Sequence, residues 1–317
     1  MCDYELTAGS KVRIMPDVHA GKGCTVGTTM TVIDKAVPNI VGVDIGCGMY
    51  TVCLGKTDID FEKFDEAAHF IPCSMNVWKE CQEHFDLTAL RCYGSLTDIN
   101  RLEYSLGTLG GGNHFIEIDT ASDSTKYLVI HSGSRNLGKQ VAEFYQQAAV
   151  DLNTGKETYF RQRDEIINTY KEQGRQSEIR EALRQLAKDQ EAKKPALPDD
   201  LCYLYGSSFD DYLHDVEICQ RFAKRNREKM AELLLEHTGM VGYDAFHTIH
   251  NYINTEEMIL RKGGHCSASG RKGPDPDQYA GRQYSGRGQG QSRMELLRAA
   301  RGGTADVPQR GKKQTGS

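Results

Sequence analysis

Apolar and polar residues alternate over Lys11–Met15 and Thr25–Ile33, and a longer apolar stretch fills Ile40–Leu54. Glycines separate the three, so each is predicted as a strand. Phe115–Ile118 and Tyr127–Ile130 predict short buried strands beyond the glycine cluster that closes Leu102–Gly112. Phe61 to Glu83 is expected to be helical in part, and a helix should start near Asn136 and run past Val150. Ser208–His237 places Phe209, Tyr212, Leu213, Val216, Ile218 and Phe222 at helical spacing, which predicts one long core helix. Residues 156–194 are rich in Glu, Lys, Arg and Gln. They predict an exposed helical excursion, punctuated at its end by Pro195 and Pro198. No internal repeat is visible.

At 317 residues, with 38% hydrophobic and 26% charged positions, the chain is neither fibrous nor mostly disordered and can bury a sizeable core. No apolar window reaches membrane-spanning length. The start, Met1-Cys2-Asp3-Tyr4-Glu5, has no signal-peptide pattern. Ten cysteines without such a signal point to free thiols in a reducing compartment, hence a cytoplasmic protein with no membrane partner. The net charge of −5 is uneven: residues 264–317 carry ten Lys/Arg against four Asp/Glu, leaving −11 on residues 1–263. Eleven of the 32 glycines also fall in that tail, which reads at first sight as a disordered basic arm that could touch nucleic acid.

Several short stretches put metal-ligand side chains beside glycine. Pro16-Asp17-Val18-His19-Ala20-Gly21-Lys22-Gly23 offers a carboxylate, an imidazole and an ammonium. Gly42-Val43-Asp44-Ile45-Gly46-Cys47-Gly48 sets a carboxylate and a thiol three apart, suited to a borderline divalent ion. Gly110-Gly111-Gly112-Asn113-His114-Phe115-Ile116-Glu117 lets backbone N–H groups approach a phosphate. It matches neither the P-loop nor the dinucleotide fingerprint. His131-Ser132-Gly133-Ser134-Arg135 follows an apolar strand and opens a helix, where His131 could coordinate and Arg135 could clamp a phosphate. His247 and His250 could share a helical face. Each stretch also has an ordinary explanation: a turn between strands, a buried thiol with a turn aspartate, a helix cap, a surface histidine pair. Together, Asp44, Cys47, His114, His131 and His250, with Asp17 and His19 in reserve, suggest a divalent-metal site acting on a phosphate.

In this order, PDVHAGKG (16–23), GVDIGCGM (42–49), GGGNHFIEI (110–118), HSGSRNLG (131–138) and HNYI (250–253) resemble the RtcB family of RNA ligases. The resemblance implies a single α/β (α+β) catalytic domain over residues 1–263, with mixed sheets and 156–195 as a charged helical insertion. By the resemblance an edge element before Cys2–Val12 is expected to be absent. It implies Mn²⁺, two ions, and GTP as cofactors. It also implies an RNA partner, a 2′,3′-cyclic phosphate or 3′-phosphate end joined to a 5′-hydroxyl end, as in tRNA splicing and RNA repair. By motif, Asp44, Cys47, His114, His131 and His250 would be metal ligands. Asn113, His114, Phe115, Ile116, Glu117, His250 and Asn251 would contact the guanine nucleotide. Asp17, His19, Lys22 and Arg135 would contact RNA or phosphate. A monomer is expected.

The family's nucleophile is a histidine in a C-terminal His-Gly-Ala-Gly-Arg motif, which takes GMP from GTP and passes it to the RNA 3′-phosphate. That motif does not occur here, so no catalytic residue is assigned. Family-like sequence stops at Gly263, where the composition also breaks. A one-base shift of frame, with permissible codons, turns the stretch from Leu297 into SAPHGAGRLMS and residues 264–291 into GIAQLQGERVLIPINMRDGSILAVGKGK. Residues from about Gly264 are therefore expected to be out of frame, leaving the C-terminal part of the fold missing and the product inactive. A non-catalytic metal- and RNA-binding remnant and a metal-dependent phosphoesterase are the competing functions.

Overall fold

The computed structural model describes residues 1–192 and 197–263, apart from the side chains of Asp17, Glu157 and residues 190–192. The tail expected to be out of frame, the end of the charged insertion and the Asp17 side chain thus lie outside the described residues. In chain order the elements are β1 (Val12–His19), β2 (Val26–Thr31), β3 (Lys35–Ala36), α1 (Pro38–Val41), β4 (Gly48–Gly55), α2 (Phe61–Phe70), α3 (Ile99–Glu103), β5 (Phe115–Thr120), β6 (Lys126–Ser132), α4 (Arg135–Asn153), α5 (Lys156–Glu172), α6 (Ile179–Ala192), β7 (Leu204–Tyr205), α7 (Ser207–Thr238), β8 (Asp244–Ile249), β9 (Asn251–Asn254) and β10 (Ile259–Lys262). The fold is mixed α/β. Two four-stranded antiparallel sheets, ordered β1-β2-β10-β9 and β5-β6-β4-β8, flank a two-stranded β3-β7 ribbon. Among the described residues no helix is long and apolar enough to cross a membrane.

The pattern of apolar positions explains the central helix. On α7, Phe209, Tyr212, Val216, Cys219, Phe222, Ala223, Met230, Ala231 and Leu234 recur at three- and four-residue spacing, and all are buried. Gly239, at φ +75°, ends the helix with its N–H on the Leu235 carbonyl at 2.8 Å. One side of α7 packs with α4 and α1 in a first core that includes Ile40, Leu137, Val141 and Tyr145. The other packs against the β5-β6-β4-β8 sheet through Val52, Leu54, Leu128 and Ile130. Burying each such aliphatic side chain contributes roughly 1.5–3 kcal/mol.

Three expectations need correction. Ile40–Leu54 is not one strand. Pro38 starts a short helix, and Gly42 and Gly46 at φ +88° and +75° turn the chain before β4 begins at Gly48. Pro16–His19 is the end of β1, not a turn, and the pairing register shifts between Ile14 and His19 so that Pro16 sits in an irregularity. His247 and His250 lie on extended chain, in β8 and at its junction with β9, so they do not share a helical face. Residues 156–192 do form the expected helical excursion, an α5/α6 hairpin with no fully buried side chain among those described.

Asp215 is a fully buried carboxylate that, among the described residues, has no Lys or Arg side chain against it. It accepts from Arg91 N (2.8 Å), Cys92 N (3.0 Å), the Tyr145 hydroxyl (2.8 Å) and His214 Nδ1 (3.0 Å). It ties the irregular run before α3 to α4 and α7. Asp215→Ala leaves several buried donors unpaired and should lower stability by about 3 kcal/mol or more. Urea unfolding followed by circular dichroism measures it; a loss below about 1 kcal/mol would mean the donors find other partners.

Candidate metal centre

Four motif stretches end at one edge of the β5-β6-β4-β8 sheet. Register pairs Gly48 with Ser132 and Ile249, and His131 with Met49 and Phe115. The strand ends therefore bring His114, His131, His250 and the Asp44–Cys47 turn together. The turn is stitched to the β8–β9 junction by Gly46 N to Asn251 O (2.7 Å) and His250 N to Cys47 O (3.0 Å). A side chain at Gly46 would come within 2.9 Å of the Gln220 Cα on α7, so glycine lets the turn sit flush on the helix.

The donors form a chain of close contacts. Asp44 Oδ2 lies 2.9 Å from His114 Nε2, and Cys47 Sγ lies 3.6 Å from His114 Nε2 and 3.3 Å from His131 Nε2. His131 Nε2 lies 3.3 Å from His250 Nε2. Two donor triads result, Asp44/Cys47/His114 and Cys47/His131/His250, each with its donor atoms within 4.8 Å of one another, and Cys47 belongs to both.

The supporting hydrogen bonds fit this set to a metal. His114 Nδ1 faces the Leu109 carbonyl at 3.0 Å, and His131 Nδ1 faces the Asn113 carbonyl at 3.0 Å. A carbonyl only accepts, so both Nδ1 atoms carry the proton; the His131 Nε2 lone pair then points into the cluster, and His114 Nε2 is aimed into it at Asp44 Oδ2. The close His131–His250 approach then sets nitrogen against nitrogen, which a proton or a cation between them relieves. Burial holds the His131 pKa down to about 4 and the His250 pKa down to about 3, so both rings are neutral donors at pH 7. Burial also opposes ionisation of Asp44, but the hydrogen bond and charge of His114 outweigh it and the carboxyl sits below its usual range. Burial, reinforced by Asp44, pushes the Cys47 thiol well above its ordinary value. A thiol, a carboxylate and three imidazoles make a donor set for a borderline divalent ion.

The other sequence candidates are placed as follows. Arg135, at φ +58°, donates from Nε to Thr108 Oγ1 (2.9 Å) and from Nη2 to the Ser74 carbonyl (2.8 Å). Its guanidinium packs over Gly110, beside His114. Asn113 is exposed. Phe115 and Glu117 share the His131 face of the sheet, with the Phe115 ring 5.2 Å from that of His131. Ile116 points to the opposite face and packs in the second core. Asn251 Oδ1 accepts from Gly263 N at 3.0 Å. Lys22 pairs with Asp200 at 3.5 Å, and His19 is exposed at the end of β1 in the other sheet.

Two residues that the motif search passed over hold the centre together. Asn226 accepts at Oδ1 from Gly107 N (2.8 Å) and Thr108 N (3.0 Å). Its Nδ2 donates to Thr108 O (3.1 Å), Ser132 Oγ (3.1 Å) and Gly133 O (3.2 Å). Arg227, fully buried, donates from Nη1 to Gly46 O (2.8 Å) and Ser132 O (2.7 Å). The available signal was a polar pair inside the apolar stripe of α7, between Phe222-Ala223 and Met230-Ala231.

Comparison with known proteins adds to this geometry. The family described as tRNA-splicing ligase RtcB matches residues 6–84 and 93–289, so the match continues past Gly263. The chain belongs to the RtcB family. It is 26% identical over 324 aligned positions to the RNA-splicing ligase RtcB of Escherichia coli strain K12, covering 88% of this chain and 70% of the relative. It is 25% identical over 192 positions to the tRNA-splicing ligase RtcB of Aeropyrum pernix, covering 42% of this chain and 39% of the relative. The motif stretches of this RtcB chain that converge in space are those around Asp44, His114, His131 and His250.

Two outcomes follow. A Cβ on Gly133 would overlap the Asp44 carboxylate. Gly133→Ala should push Asp44 off His114 and weaken divalent-ion binding about tenfold or more, read by cobalt titration. Unchanged cobalt affinity would mean that Asp44 is not a ligand. With a chelator present, the depressed histidine pKa values also set a pH dependence. The unfolded chain takes up protons near pH 6.5, whereas folded His131 resists to about 4. Stability should therefore fall as pH drops below about 6.5, and fall less steeply in His131→Asn, by urea midpoints at several pH values.

Proposed function

We propose that this chain is an RNA ligase by descent, built to join RNA 2′,3′-cyclic phosphate or 3′-phosphate ends to 5′-hydroxyl ends with Mn²⁺ and GTP. The observation that carries the reading is the pair of triads sharing Cys47, assembled from four separate family-like stretches. Asp44, Cys47, His114, His131 and His250 would hold the metal, Cys47 being common to both triads. Bound there, the metal supplies charge neutralisation for a phosphate and a polarising Lewis acid. Cys47 would serve as a thiolate, and His114 and His131 would be kept oriented by their Nδ1–H bonds to the Leu109 and Asn113 carbonyls. The Asn113–Glu117 stretch, His250 and Asn251 border the centre and would receive the guanine nucleotide. Arg135, fixed by Thr108 and Ser74, would hold an RNA phosphate, with Asp17, His19 and Lys22 further along the path. The −11 charge of residues 1–263 supports a local basic contact over a broad basic face. We place the protein in the cytoplasm as a monomer.

Activity needs the histidine that takes GMP, and the His-Gly-Ala-Gly-Arg motif is absent from the sequence. We propose that residues from about Gly264 are read out of frame and that the chain is inactive. The family match to residue 289 sets against this an in-frame, divergent tail, and sequencing codons 258–268 decides between them. The missing motif favours one further reading, a remnant that keeps metal and RNA affinity without guanylylation.

Incubation with labelled GTP and Mn²⁺ should leave the chain without covalent GMP, whereas a chain with the frame restored should take the label and seal RNA. A stable label on the chain as it stands overturns the inactivity. A restored chain that neither labels nor ligates overturns the ligase reading, and phosphoester turnover without GTP would point to a hydrolase. Filter binding of RNA by the unlabelled chain identifies the remnant.

A further inference from the structure

Arg227 is completely buried in the middle of α7, yet among the described residues no carboxylate forms an ion pair with it. One of its terminal nitrogens bridges two carbonyls, Gly46 O at 2.8 Å and Ser132 O at 2.7 Å, while Nε and Nη2 have no hydrogen-bond partner. Gly46 lies between Asp44 and Cys47, and Ser132 follows His131. The acidic side chains nearest in effect are Cys47, a neutral thiol here, and Asp44, ahead of Glu228. A buried cation without a partner is costly, and a core position on a helix is filled more cheaply by leucine or methionine. The residue therefore has a reason to be there beyond packing.

We propose that Arg227 is a positioning residue for the metal centre, its bridging nitrogen setting the distance between the Asp44–Cys47 turn and the His131 strand end. The proposal rests on the metal reading of the site. Its geometry makes two demands. The side chain must reach both carbonyls, which lysine, one atom shorter, does not. It must also hold the Asp44–Cys47 turn, which precedes the first β4–β6 pair, Gly48 with Ser132, and so lies outside that ladder. A simple charge effect has the opposite sign: removing a cation beside a cation site would tighten metal binding by relieving repulsion.

The test uses Arg227→Lys, which keeps the charge, and Arg227→Gln, which keeps polarity without it, in the full chain. Cobalt is the probe, read by its thiolate charge-transfer absorption and by titration. Both variants should bind cobalt about tenfold to a hundredfold more weakly, with the thiolate band weakened or shifted while far-ultraviolet circular dichroism stays that of a folded protein. Binding as tight as in the unaltered chain in either variant, or tighter in Arg227→Gln, overturns the proposal. If neither variant folds, the unaltered chain labelled with ¹⁵N-arginine is titrated with zinc. A shift of the Arg227 Nε resonance supports the proposal and an unmoved resonance overturns it. Failure of the unaltered chain to bind cobalt at all would instead remove the metal reading beneath it.

Discussion

Two polar side chains buried side by side on a helix must find partners there or the helix does not pack. On α7 those side chains are Asn226 and Arg227, and their partners are backbone groups of three separate segments: 107–108, 132–133 and Gly46. The need to satisfy one dipeptide thus fixes where three loops go. Each loop carries or supports a donor: the 107–109 run holds His114 through the Leu109 carbonyl, 132–133 follows His131, and Gly46 sits between Asp44 and Cys47. The candidate metal centre is in this sense an extension of a polar knot in the core.

The sheet supplies what the knot does not, which is direction. In an antiparallel sheet directly paired residues point to the same side, so His131, Met49 and Phe115 face together while Ile116, Ile130 and Tyr50 face α7. One face is apolar and builds the second core; the other, at its end, presents imidazole. A one-residue slip in β6 would carry His131 into the core and Ile130 into the site. The close fit of β4 between β6 and β8, seven and six paired positions, makes such a slip costly.

The parts of the fold legible in the sequence are those where one periodicity dominates. The stripe from Phe209 to Leu234 and the short runs Phe115–Ile118 and Tyr127–Ile130 follow single patterns, and their elements lie where the patterns place them. Ile40–Leu54 does not, because its apolar residues serve a short helix, a glycine turn and a strand in succession, and hydrophobicity alone cannot mark the joints. His247 and His250 have a spacing compatible with a helical face, but β-branched and aromatic neighbours and pairing with β4 make the chain extended. The meeting of Asp44, Cys47, His114, His131 and His250 was legible only because glycine-flanked motifs recur. Arg227 was marked only by its place with Asn226 inside the apolar stripe of α7, a signal easily lost on a helix rich in charge.

The position of Gly263 gives the break in composition a structural meaning. β10 ends there, and it is an inner strand, paired on one side with β2 and on the other with β9. Lys262, its last residue, buries its ammonium between the carbonyls of Lys22 and Asn39, each at 2.9 Å, and Gly263 N reaches Asn251 Oδ1. The residues that bring the metal donors together, including Arg227 and His250, therefore all precede the break and are closed off by β10. On the proposed reading the histidine that receives GMP is encoded beyond it. A frame change at that point separates the two halves of the chemistry along the chain: the donor set retains its scaffold, and the covalent step loses its residue. On that reading metal affinity without guanylylation would follow from where the strand ends, because among the described residues the donor cluster draws its geometry from α7 and the β5-β6-β4-β8 sheet.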